Sequence, residues 1–314
     1  LQRILITGGA GFIGSNLAAA LTGRPDYDVV IADTFESGDW HNLIGTDCEL
    51  RAIEANDPVL LDEIANGEFA AILHQAAITD TTIMDQRHML SVNTDAFADI
   101  LKASHASGTR VVYASSAGVY GNSPAPNRIG SGEVPENIYG FSKLAMDRVA
   151  RRWFERHSSV IIGLRYFNVY GPGERHKGKT SSMILQLYQQ VLSGKRPRLF
   201  KFGQQRRDFV YIRDVVEANI AALEAPRSGI CNIGTGTSRS FNDIIDILGQ
   251  ILGKRLEVEY IDNPYAFYQN HTEADLSEAR SILDWKPAWN LEKGMDDYIR
   301  NLEKEALLDH GETT

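Results

Sequence analysis

Thr7-Gly8-Gly9-Ala10-Gly11-Phe12-Ile13-Gly14 is the stretch that decides the fold. It follows the apolar run Arg3-Ile4-Leu5-Ile6 and opens a segment, Phe12 to Leu21, that reads as a helix. At such a junction each glycine has a task. Gly8 permits the tight turn, and Gly14 lets the helix pack close to the strand. Gly11 lets the backbone approach a pyrophosphate at the helix N-terminus, where free N–H groups and the helix dipole favour anions. Phe12 and Ile13 belong to the same anion-binding turn.

Outward from this turn the pattern repeats. Val29-Val30-Ile31-Ala32, Ala70-Ala71-Ile72-Leu73, Arg110-Val111-Val112-Tyr113-Ala114 and Val160-Ile161-Ile162-Gly163-Leu164 are further short apolar runs separated by helical segments. Strands apolar at every position fit a sheet covered on both faces. Repeated strand–helix units predict an α/β fold with a doubly wound, Rossmann-like parallel sheet. After Phe167 the rhythm changes at Gly171-Pro172-Gly173, and a loop rich in Lys, Arg and Gly leads to a helix from about Ser181. A strand is predicted over Leu256 to Ile261. The expected division is a dinucleotide-binding domain, 1–167 and about 208–239, and a smaller mixed α/β substrate lobe, about 168–207 and 240–314.

Asp33 ends the second strand, 19 residues after Gly14, where a carboxylate can accept from the adenosine ribose hydroxyls. Thr34 to Leu43 contains no Lys or Arg, and Glu36 and Asp39 add negative charge. A 2′-phosphate would meet repulsion there, so NAD is expected rather than NADP. Further on, Tyr139 and Lys143 stand at i and i+4, on one helical face. An ammonium beside a phenol favours the phenolate and eases proton transfer. Ser115 and Ser116 end a predicted strand, Ser116 lying 23 residues before Tyr139, where a hydroxyl can steady a substrate oxygen.

Composition narrows the remainder. The 314 residues are 43% hydrophobic and 23% charged, with a formal net charge of -9, which argues against a nucleic-acid-binding surface. Cys48 and Cys231 have no metal-ligand spacing and are expected to be buried, reduced thiols. No metal site is expected. No stretch approaches the ~20 apolar residues of a membrane span. The chain runs from Leu1 almost directly into a strand, so no signal peptide and a cytoplasmic location are expected.

The chain resembles the extended short-chain dehydrogenase/reductases over residues 3–302, and within them the ADP-L-glycero-D-manno-heptose 6-epimerases. The general features are Thr7 to Gly14, His74-Gln75-Ala76-Ala77, Asn93, Ala114 to Gly121 and Tyr139 to Lys143. More specific are Arg165-Tyr166-Phe167-Asn168-Val169-Tyr170-Gly171-Pro172, His176-Lys177, Ser181-Ser182-Met183, Arg207-Asp208-Phe209-Val210-Tyr211-Ile212 and Tyr268-Gln269-Asn270-His271-Thr272. The resemblance implies inversion of C6 of the heptose in ADP-heptose through a transient ketone, with a bound nicotinamide cofactor. Tyr139 then matches one acid/base and Lys177 a second, on the other face of the sugar. Ser116, Asn168, Lys177, Ser182, Gln186, Phe200, Arg207 and Tyr268 fall at substrate positions. Glu54, His74, Gln75, Ala76, Ala77, Asn93, Val169, Tyr139 and Lys143 fall at cofactor positions beside the glycine turn and Asp33. Gln186 stands where some members carry His. Many members use NADP and carry a basic residue after the strand-end acid, which this chain lacks. The resemblance further implies a homo-oligomer serving lipopolysaccharide core biosynthesis.

Two other functions fit parts of the pattern. A UDP-hexose 4-epimerase would share the cofactor half, though not the surroundings of Lys177 and Tyr268. A non-catalytic dinucleotide-binding protein would share the fold but has no need of Ser116, Tyr139 and Lys143 together.

Overall fold

An all-apolar strand is stable where both its faces are covered, and this chain supplies the helices that cover them. The computed structural model describes residues 1–264 and 269–311, with side chains through 306. The first half reads β1 (Gln2–Thr7), α1 (Phe12–Thr22), β2 (Tyr27–Ala32), β3 (Glu49–Arg51), α2 (Pro58–Ala65), β4 (Ala71–His74), α3 (Gln86–Leu90), α4 (Ala96–Ser107), β5 (Arg110–Ser116), α5 (Ile138–Trp153) and β6 (Ile161–Tyr166). The second half reads β7 (Asn168–Tyr170), α6 (Met183–Leu192), β8 (Arg198–Phe200), β9 (Arg206–Tyr211), α7 (Ile212–Glu224), β10 (Gly229–Ile233), β11 (Ser238–Ser240), α8 (Phe241–Ile251), β12 (Glu259–Ile261), α9 (Ser277–Leu283) and α10 (Leu291–Gly311).

Seven strands form one sheet in the order β10-β6-β5-β4-β1-β2-β3, every pair parallel. Successive strand residues point to opposite faces. Ile4, Ile6, Val29, Ile31, Val112 and Ile162 join the core that includes Leu17 and Leu21 of α1 and Val215 of α7. Leu5, Val30, Ile72, Val111 and Ile161 join the other, with Leu60 of α2, Ile100 of α4 and Met146 of α5. Strand order reverses at β1, which opens a crevice at the C-terminal edge of the sheet. Asp33, Gln75, Ser116 and Asn168 all lie at strand ends along that edge. Two smaller sheets complete the fold: β9 between parallel β7 and antiparallel β11, and the parallel pair β8–β12.

Several local expectations need correction. β12 begins at Glu259, not Leu256, and α6 begins at Met183 because Ser182 serves as its cap. The edge strand β3, Glu-Leu-Arg, has no apolar run to reveal it. β10 is buried throughout yet carries Gly229 and Asn232, which interrupt its apolar pattern. Cys48 is half-buried rather than buried, while Cys231 lies in the core, where burial pushes its thiol up to about 12. Among the described residues no helix is long and apolar enough to cross a membrane.

Candidate active site

The glycine turn is shaped so that backbone alone lines it. A Cβ on Gly8, at φ +68°, would stand 2.6 Å from the Ala76 nitrogen, and one on Gly14 would stand 2.2 Å from the Gly8 oxygen. Gly11 caps α1 without a side-chain hydrogen bond, so the helix presents its N-terminal N–H groups to the crevice. This cradle fits the diphosphate of a dinucleotide. Asp33 is fixed beside it: Oδ2 accepts from Ala10 N at 2.9 Å and Oδ1 from Phe35 N at 2.8 Å. Arg51, on the neighbouring strand end, is paired with Glu49 and Glu63. Glu54 is exposed in the segment after β3.

The loop after β4 is held by buried polar groups. His74 Nδ1 lies 2.8 Å from Thr7 Oγ1, and burial, aided by the charge of Lys143, lowers the imidazole to about 3. Gln75 donates to Asn219 at 3.2 Å. Ala76 packs against the glycine turn, and Ala77 follows it in the same extended segment. Asn93 is fully buried: Oδ1 accepts from Ile78 N at 2.8 Å and Nδ2 donates to Ser142 Oγ at 3.0 Å. It therefore joins this loop to α5, one residue from Lys143.

Of the serine pair, Ser116 faces the crevice. Ser115 is buried and donates to Asp147 at 3.1 Å, which corrects its expected share in the site. Ser116 Oγ accepts from Gly118 N at 3.0 Å and lies beside the Tyr139 phenol. Burial pushes that phenol up, and the Ser116 hydroxyl opposes the shift. The ammonium is thus not the main influence on the phenol. Lys143 Nζ lies 6.0 Å from the Tyr139 ring centre and donates to Ala114 O at 2.9 Å. Burial lowers Lys143 to about 8, against the charge of Asp147.

Asp147, one turn beyond Lys143, accepts from Tyr113 at 2.8 Å and from Arg165 Nε at 2.8 Å. Arg165, fully buried, also meets Glu133 at 2.7 Å. This network pins α5 to β5 and β6. Sequence reasoning missed it, although Asp147 lies at i+4 from Lys143 on the same helix.

The loop after Gly171-Pro172 packs across the glycine turn. Asn16 donates to Pro172 O at 2.9 Å. Asn42 Nδ2 lies 3.1 Å from Ala10 O and 3.1 Å from His176 Nδ1. Lys177 is half-buried, with Nζ 5.6 Å from the Phe12 ring centre. Burial lowers its pKa, and the charge of Glu174 opposes this.

The remaining predicted residues divide. Asn168 is exposed on β7, Val169 beside it is half-buried, and Phe200 ends β8 half-buried. Ser182 and Gln186 are engaged within the protein: Ser182 Oγ donates to Glu174 at 2.7 Å, and Gln186 donates to Ser181 O at 2.8 Å. Arg207 is buried, donates to Arg206 O at 2.9 Å, and lies 5.7 Å from the Phe241 ring centre. Tyr268 lies outside the described residues. Gln269 beside it donates to Gly121 O at 2.7 Å, which ties that segment to the turn after Ser116.

A model of the NAD dependent epimerase/dehydratase family matches residues 4–234. The chain belongs to that family. Among its relatives, the ADP-L-glycero-D-manno-heptose-6-epimerase of Brachyspira hyodysenteriae is 37% identical, the match covering 96% of this chain and 98% of that one. The crystal structure of the Helicobacter pylori enzyme of the same name is 44% identical, with a TM-score of 0.89 and 96% of each chain covered. A UDP-glucuronic acid 4-epimerase from Bacillus cereus, solved with UDP-glucuronic acid and NAD, is 28% identical with a TM-score of 0.84, covering 96% of this chain and all (100%) of that one. The matched span includes the glycine turn at Gly8 to Gly14, Ser116, Tyr139, Lys143 and Lys177.

Proposed function

We propose that the protein inverts C6 of the heptose in ADP-heptose, using NAD. Gly8 to Gly14 and the first N–H groups of α1 would hold the cofactor diphosphate, Asp33 the adenosine ribose, and Lys143 the nicotinamide ribose. When bound, NAD supplies the acceptor and donor of the hydride, which an unactivated carbinol carbon requires because its C–H is not acidic. The chain's own residues manage the protons. Tyr139, steadied by Ser116, exchanges the proton of the C6 hydroxyl on one face. On the opposite face, Lys177 Nζ would give a proton to the alkoxide oxygen at C6 and become a neutral amine. The reverse direction exchanges the two roles. Asn168 and Arg207 would contact the substrate, Arg207 as a cation for its diphosphate, with Phe200 and Tyr268 beside them.

The observation that carries this reading is the presence, in one chain matching heptose epimerases along its length, of both the Ser116–Tyr139–Lys143 group and Lys177 on a loop packed over the cofactor turn. Asp33 and the pairing of Arg51 with Glu49 and Glu63 support NAD over NADP, since a 2′-phosphate would meet a carboxylate and an already neutralised guanidinium. The division into a dinucleotide domain, 1–167 and about 208–239, and a substrate lobe belongs to the same proposal. The test is to incubate the purified protein with each C6 epimer of ADP-heptose and, separately, with UDP-glucose, and to read products by NMR. Interconversion of the ADP-heptose epimers alone is expected. Turnover of UDP-glucose with none of ADP-heptose would replace the reading with a 4-epimerase.

A further inference from the structure

Lys177 lies midway along an excursion from Glu174 to Ser182, and both ends of that excursion meet on one carboxylate. Glu174 is fully buried. Its Oε2 accepts from Ser182 N at 2.5 Å, and its Oε1 accepts from Ser182 Oγ at 2.7 Å and from Gly171 N at 3.4 Å. Its own carbonyl accepts from Lys177 N at 3.0 Å. Ser182 in turn caps α6 by accepting from Leu185 N at 3.3 Å. From α10, Glu305 pairs with Arg175 at 3.2 Å, and the buried Tyr298 hydroxyl lies near the same carboxylate without a hydrogen-bond partner among the described residues. The loop is thus closed at its neck and tied to α10 through Arg175.

Closing a loop does not require a buried acid. A neutral side chain could accept the Ser182 N–H without the cost of desolvating a carboxylate. What an ionised carboxylate adds is charge: burial pushes Glu174 up, its bonds to Ser182 and the charge of Lys177 oppose that shift, and its own charge opposes the lowering of Lys177. We propose that Glu174 is the positioning residue for Lys177: it shuts the loop that carries the lysine and so holds Nζ beside the glycine turn. The inference rests on the reading of Lys177 as a proton-transfer group. Three groups face this pair. Ser182 and Tyr298 present hydroxyls to Glu174, and His176 adds a charge near Lys177 when protonated. Burial already pulls Lys177 down, so removing the Glu174 charge lowers it further.

The test uses the full chain with NAD and follows kcat and KM against pH in both directions of epimerisation, for Glu174→Gln, Glu174→Asp and Lys177→Met. Glu174→Gln should lower kcat by ~10-fold or more, because a misplaced acid/base loses rate steeply, while KM changes little. Its basic limb should move to lower pH in the direction that needs protonated Lys177. Glu174→Asp, which restores the charge, should move the limb back toward the wild-type position. Lys177→Met should abolish the limb. A Glu174→Gln enzyme with an unshifted limb, whether its kcat is normal or falls only with folded protein, overturns the role of Glu174. Wild-type epimerisation by Lys177→Met overturns the reading of Lys177 instead, and the proposal falls with it.

Discussion

The two proton-transfer groups proposed here are held in contrasting ways. Tyr139 and Lys143 sit on α5, a regular helix locked to the central sheet by a buried network of Asp147, Arg165 and Glu133. Lys177 sits on a short 3-10 helix, Arg175–Thr180, kinked at Gly178, closed by Glu174 and laid over the glycine turn through Asn16, Asn42 and His176. The first arrangement resists local opening, because moving α5 would expose buried charge and core. The second is tied at its neck by hydrogen bonds to one buried carboxylate rather than by the packing of a whole helix. One site therefore joins a group on a long packed helix to a group on a short turn.

The strongest way to break the comparison is to remove each proton-transfer group in turn. Tyr139→Phe should still fold and bind NAD but lose ~10²–10⁴-fold in turnover. Lys177→Met should block net epimerisation to a similar degree, yet reduced cofactor should still accumulate with the epimer whose oxidation Tyr139 serves. Following epimer exchange and cofactor absorbance together checks both. Net exchange at the wild-type rate in Lys177→Met would make it only a loop cation.

The immobility of α5 is put to the test by Asp147→Asn. Arg165 would lose a fully buried partner, and removing one member of such a pair costs about 3 kcal/mol or more. Denaturant unfolding should report a loss of that order, whereas breaking an exposed pair such as Arg300–Asp296 should matter little. An Asp147→Asn protein as stable as the parent would show that the network does not anchor the helix.

Smaller effects concern the cofactor. NAD should bind the stripped protein roughly tenfold more tightly than NADP, about 1.4 kcal/mol, as read by calorimetric titration. Tighter binding of NADP would mean that cations reach the site from elsewhere. The same titration across pH should show NAD affinity falling as pH rises through about 8, where Lys143, lowered by burial, loses its charge. Lys143→Met should be weaker throughout and show no such step.

Much of this architecture is legible in the sequence. The run Thr7 to Gly14, Asp33 at a strand end, and Tyr139 with Lys143 on one helical face are local patterns whose geometry follows from the element that carries them. The features that are not legible depend on distant partners. Ser115 and Ser116 are equivalent as a dipeptide, but strand alternation sends one to Asp147 and the other to the crevice. Ser182 and Gln186, which the resemblance places at substrate positions, also bond within the protein, to Glu174 and to Ser181, and the sequence gives no sign of those ties. Glu174 gives no signal because the chain between it and Ser182 is a kinked 3-10 turn, which no helical or strand repeat describes.

Periodicity and glycine placement determined the parallel sheet and the glycine turn, because backbone sterics and the burial of apolar faces act over a few residues at a time. Only the tertiary structure decided which polar side chains face the crevice and which serve as internal ties. A buried polar group must find a partner wherever the folded chain supplies one, and Arg165 finds Glu133 across 32 residues, Asn42 finds His176 across 134.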